Sequence, residues 1–147
     1  MFKVNLAKQG LVFPLGHAYW NNLPDEVIIG ANNVLTNDIT AWAKQHVSGK
    51  IFEVDNVRKV YLTNNSIKEI MHKPHEFKLA KNQCIYRIED ILNKSELVKI
   101  SPDVKGNSNV KQWYYLRFTL NGKASFINIS DMQDGTKTVY AITDGLK

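Results

Sequence analysis

The stretch SIKEIMHKPHEF, residues 66–77, sets His72 and His75 three residues apart, with Lys68 and Lys73 beside them. Imidazole titrates near neutral pH, so one histidine can take a proton from a 2′-hydroxyl while another gives one to a leaving oxygen. Those two transfers are what metal-free RNA cleavage requires. The same spacing could seat a metal, but a complete site needs a third ligand, and none stands nearby in the sequence. The competing reading is a frayed helix end that happens to carry histidines. His17, in an irregular opening segment, and His46, on a helical stripe, offer less.

A second set of residues comes from the strongest structural signal in the chain. QWYYLRFTL, then Asn121-Gly122, then KASFINI specifies a two-residue hairpin, because both turn positions need positive φ. The turn fixes the register, with Leu120 opposite Lys123. Tyr114, Leu116, Phe118 and Leu120 then share a face with Ser125, Ile127 and Ile129. The other face carries Trp113, Tyr115, Arg117 and Thr119 across from Ala124, Phe126 and Asn128. Aromatic rings beside a cation are what a nucleic-acid groove needs, since bases stack on rings while Arg or Lys neutralises phosphate. A covering apolar segment would account for the same face equally well.

Other elements position these groups. Residues 1–24 read as irregular, or as the remnant of a linker, and residues 25–147 as one domain. Val34, Leu35, Ile39, Trp42, Ala43, His46 and Val47 recur at helical spacing, stopped by Gly49. KIFEVDNVRKVYLT is strand-like, interrupted at Asp55-Asn56. Asn64, Asn65 or Ser66 is expected to cap a short helix over IKEIMH, which Pro74 ends. A second helix is predicted over Ala80–Leu92, with Ile85, Ile88, Ile91 and Leu92 as its buried stripe. After DMQDGT the last strand is KTVYAIT. Helices followed by an antiparallel meander predict an α+β fold.

Composition narrows the classes. The chain has 147 residues, 44% of them hydrophobic, and a net charge of +5, enough for one domain with a real core. Basic residues concentrate in two places. From 57 to 81 there are six against two acidic, and from 104 to 130 four against none. A polyanionic partner is compatible with that, as is a solvated lysine surface. Cys84 is the lone cysteine, so no internal disulfide or thiolate metal site is expected, and a core thiol is the better reading. No signal peptide or membrane segment is expected, which points to a soluble, cytoplasmic protein of a producing or target cell. There is no phosphate loop, dinucleotide fingerprint or nucleophile elbow. Glu53/Asp55 and Glu89/Asp90 make a weak case for a metal-dependent nuclease, and no cofactor is expected.

VYLTNNSIKEIMHKPHEFKLAKNQCIYRIEDILNKSELV followed by a three-stranded meander resembles the phage and toxin branch of the barnase–EndoU–colicin–RelE-like nuclease superfamily. The resemblance spans about residues 58–143. It rests on an isoleucine-faced helix ending in histidine, a second helix with IEDIL, and a threonine-bearing last strand. Here Lys-Pro-His stands where His-Pro is the family order, which leaves the choice between His72 and His75 open. The resemblance implies a metal-independent endoribonuclease, a toxin module delivered by a larger protein and neutralised by an immunity protein or antitoxin. Such enzymes use 2′-hydroxyl attack to leave a cyclic phosphate. Carried over, His72 is the general base or acid, Arg117 stabilises the phosphorane, and Lys68 does likewise. Thr143 or Thr138 faces the substrate. Trp113, Tyr115, Phe126, Asn128 and Lys123 complete the expected RNA contacts. The rival reading is a non-catalytic RNA- or protein-binding module, such as an immunity or phage accessory protein. Immunity proteins against nucleases tend to be acidic, and this chain is basic.

Overall fold

The computed structural model describes residues 3–6, 26–29, 36–103 and 109–146. Its strands are β1 (Lys3–Leu6), β2 (Glu26–Ile29), β3 (Ile51–Val54), β4 (Arg58–Tyr61), β5 (Glu96–Pro102), β6 (Val110–Leu120), β7 (Lys123–Met132) and β8 (Lys137–Thr143). Its helices are α1 (Thr36–His46), α2 (Asn64–His72), α3 (Lys78–Gln83) and α4 (Ile88–Lys94), with a 3₁₀ turn at Cys84–Arg87. The protein is α+β. Among the described residues no helix is long and apolar enough to cross a membrane.

The Asn121-Gly122 turn behaves as its chemistry dictates. Both residues have positive φ, 49° and 80°, and the strands pair Leu120 with Lys123, Phe118 with Ser125 and Arg117 with Phe126. β5, β6, β7 and β8 pair antiparallel in sequence order, and β3 and β4 form a second antiparallel pair. The expected meander is present in β6, β7 and β8, but the sheet as a whole is mixed rather than antiparallel. β4 joins β8 in parallel at Tyr61↔Thr138, and β1 joins both β6 and β2 in parallel. The helices are not all N-terminal to the sheet either, because β1 to β4 are interleaved with α1 and α2.

Two local expectations also change. The cap of α2 is Thr63, not one of the three residues after it. Its side chain accepts the Ser66 N–H while Ser66 Oγ accepts the Thr63 N–H, a reciprocal capping box. The helix expected over Ala80–Leu92 is split by the 3₁₀ turn. Of the expected stripe only Ile85 falls in that turn, while Ile88, Ile91 and Leu92 lie in α4, and every side chain from Lys81 to Ile88 is buried. In the opening segment, expected to be irregular, Lys3–Leu6 is a strand; residues 7–25 lie outside the described residues. The apolar sides of α1, α2, α3 and α4 meet Leu116, Phe118, Leu120, Ile127, Ile129, Val139 and Ile142 in one core.

Candidate functional site

A groove of about 680 Å³ opens between α1, α2 and the start of α3. That is within the volume range of ordinary ligand pockets, roughly 300–1,000 Å³. Ile67 and Met71 form its apolar floor, anchored in the core. Its walls carry Thr40 and Lys44 from α1, Asn64, Asn65, Lys68 and His72 from α2, and Lys78 from α3. Lys68 and His72 are four residues apart on one helix, so they share a face. Among the described residues no carboxylate lines the groove. The ion pairs among the described residues join Arg58 to Glu53, Lys73 to Glu69, Arg87 to Asp90 and Lys123 to Glu76, so none engages Lys44, Lys68 or Lys78.

The two main walls are stitched together below the groove. Gly49, in the left-handed region at φ 82°, follows α1. Its N–H donates to Leu62 O at 2.7 Å, and the Leu62 N–H donates to Lys50 O at 3.0 Å. Ser48 Oγ donates to Asn64 Oδ1 at 2.6 Å. That bond uses the oxygen of the Asn64 amide, whose NH₂ can only donate. The lining therefore presents ammonium and amide donors, which favours an anionic ligand.

His75, the other expected catalytic histidine, is buried and outside the groove. Its Nδ1 accepts the Phe77 N–H at 2.8 Å, and its Nε2 lies 2.8 Å from Ser125 Oγ. A ring with an accepting Nδ1 is neutral and protonated on Nε2, so Nε2 donates to Ser125 Oγ. Both nitrogens are used, and none is left for proton transfer to a substrate. Burial pushes its pKa below the ordinary value.

Arg117 and Thr143 are not brought to His72. Side chains alternate across a strand. Ser125, which holds His75, pairs with Phe118 and so lies on the core side. Arg117 pairs with Phe126, and Phe126 with Thr143, which puts all three on the opposite face. The expected catalytic set His72, His75, Arg117, Thr143 and Lys68 is thus divided by the sheet, with only Lys68 and His72 together.

The expected stacking platform is closed. Tyr115, Phe126 and Asn128 are buried, so none offers an open ring or amide. Trp113 Nε1 donates to Asp103 Oδ1 at 3.1 Å, and its ring meets Tyr140 edge-on at 5.2 Å. Thr143 Oγ1 donates to Gly145 O at 3.1 Å. Thr138 sits at the β4–β8 junction. Lys123 pairs with Glu76 at 3.4 Å near the surface. Lys44 and Lys78, with Thr40, Asn64 and Asn65, are site residues that sequence reasoning missed. The two lysines come from separate helices, and no spacing within the chain signals their convergence.

Among the described residues no three His, Cys, Asp or Glu side chains cluster to hold a metal. The family model of large polyvalent protein-associated domain 3 matches residues 31–140, more than half of the chain, and the chain belongs to that family. No curated protein and no solved structure matches it.

Proposed function

We propose that this member of the large polyvalent protein-associated domain 3 family is a non-catalytic module that binds RNA through the groove between α1, α2 and α3. The observation that carries the reading is the convergence of Lys44, Lys68, Lys78 and His72 on one groove with no lining carboxylate among the described residues. Uncompensated lysines around a groove lower the free energy of a phosphate chain by releasing its counterions. The Asn64 and Asn65 amides and the Thr40 hydroxyl add neutral partners for phosphate or sugar oxygens.

Cleavage of the bound strand, as the nuclease resemblance implies, calls for a base and an acid. Among the described residues the groove has one imidazole, His72, and the ring of His75 is locked by Ser125 and Phe77. Binding without cleavage is the reading that supports itself on these contacts. The family description associates such domains with large polyvalent proteins, and a module lending RNA affinity to a longer polypeptide fits those words.

The test is fluorescence anisotropy with a labelled single-stranded RNA at several salt concentrations. Lys68→Ala combined with Lys78→Ala is expected to weaken binding about tenfold at low salt. It should also flatten the plot of log affinity against log salt by about 1.4, the contribution of two single-strand phosphate contacts. RNA that stays intact throughout agrees with the proposal. Shortened RNA that is spared by His72→Ala would replace it with the nuclease reading, and no RNA retention at low salt would end it.

A further inference from the structure

The groove residues His72 and Lys78 stand at the two ends of one short connection. His72 closes α2, Lys73 is extended (φ −65°, ψ 138°), Pro74 prevents the helix from continuing, and Lys78 opens α3. His75 lies in the middle and is the connection's deepest anchor. Phe77 N–H donates to its Nδ1, its Nε2–H donates to Ser125 Oγ, and Ser125 Oγ donates onward to Lys123 O at 3.2 Å. A further tie joins the Glu76 N–H to Asp144 Oδ2 at 2.9 Å.

We propose that His75 is an acid-sensitive latch that holds this connection, and with it the groove wall bearing His72 and Lys78, in the ligand-binding arrangement. Its effect on binding rests on the groove reading above; the latch itself does not. Protonating the ring places a second N–H on Nδ1, directly against the Phe77 N–H. Two donors then face each other in a part-buried place, and the local hydrogen bond is lost.

Four charged groups act on the ring. Asp144 beyond β8 and Glu76 beside it favour the protonated form, while Lys81 from α3 and Lys123 from β7 oppose it. Burial is the largest influence and holds the folded-state pKa below the ordinary 6.5. The unfolded chain therefore binds the proton more readily than the folded one, so the latch's contribution is complete above that ordinary value. It is lost as the pH falls through the folded-state value.

The latch reverses the usual sign of acid on polyanion binding. Acidification makes a protein more positive and ordinarily tightens such binding, whereas releasing the groove wall weakens it. The experiment is a titration of the labelled protein from about pH 7.5 to 4.5, across the range where histidine charges. Nitrogen NMR of the His75 ring and hydrogen exchange at the Phe77 amide are followed together. The expected result is an Nε2–H tautomer at the upper pH and a Phe77 amide that loses protection as His75 takes its proton, before the core amides do. RNA affinity should fall by about fivefold over the same steps, the lower end of common coupling between sites.

His75→Asn keeps an oxygen acceptor near the Phe77 N–H and does not titrate. In that variant Phe77 protection should stay level and acid should tighten RNA binding. An Nδ1–H tautomer, or a Phe77 amide indifferent to His75 protonation in the wild-type chain, overturns the latch. That reading needs no variant to fold. Absence of RNA binding at pH 7.5 would fail the groove while the Phe77 result still decides the latch.

Discussion

Between pH 8 and 10.5 the wild-type protein gains about 3 kcal/mol of stability that a Lys81→Met variant does not. Lys81 is 0% exposed, one of the largest fully buried side chains among the described residues. Its amine donates to Ile70 O. In a continuing helix that carbonyl would accept the N–H of residue 74, but residue 74 is proline and has none. The amine from α3 fills the position left at the end of α2.

The burial that makes this bond possible also penalises the charge. It lowers the Lys81 pKa from the ordinary 10.5 to about 8, with Lys78 adding repulsion and Cys84 opposing the shift. In that window the unfolded chain holds the proton and the folded chain has released it, so stability rises with pH. At pH 7 the methionine variant escapes the buried charge but orphans the Ile70 carbonyl, at about 1–3 kcal/mol. The two effects nearly cancel there. The stability gap should therefore be small at pH 7 and open by about 3 kcal/mol at the alkaline end. Cys84 runs the other way, because burial pushes its thiol up to about 12 and the folded state resists its ionisation. Both proteins carry Cys84, so the difference between their urea midpoints at each pH isolates Lys81. A gap that does not change with pH would contradict this account of Lys81.

Phe118→Ala is expected to cost about 4 kcal/mol, a large share of the roughly 5–15 kcal/mol that holds a domain folded. Phe118 is 0% exposed on β6, at the point where the sheet's core face meets the helices. Its cross-strand partner is Ser125, the residue that receives the His75 ring. Truncation removes the apolar surface and leaves a cavity that a two-sided, strand-fixed site can close only in part. Urea unfolding should show a lower midpoint at an unchanged slope. A loss under about 1 kcal/mol would mean that the site collapses freely and that Phe118 is not a centre of the core.

Sequence made the hairpin legible because Asn121-Gly122 carries its own geometry, and register follows from the turn. It made the end of α2 legible because Pro74 allows little else. It did not reveal the break between α3 and α4, since an isoleucine every third residue reads as an incomplete helical stripe until burial on all sides is seen. The same limit governed the site. Lys68 and His72 were legible as neighbours on one helix. Lys44 and Lys78 joined them only through helix packing, which no local pattern encodes. His75 read as chemistry because its sequence neighbours do not disclose Ser125, fifty residues away, or the Phe77 N–H that fixes its tautomer. Arg117 was placed on the correct face by the register. That face, and the core-side anchoring of His75 by Ser125, sets it apart from the histidines.

The most direct test of the RNA-binding groove is an amide-resolved NMR titration of the intact chain with a short single-stranded RNA at pH 7.5, about one unit above an ordinary histidine pKa. The account predicts that the perturbed amides concentrate at residues 40–44, 64–72 and 78, around the groove lining. Perturbations centred on Trp113, Arg117 and Thr143, or none at saturating RNA, would contradict it.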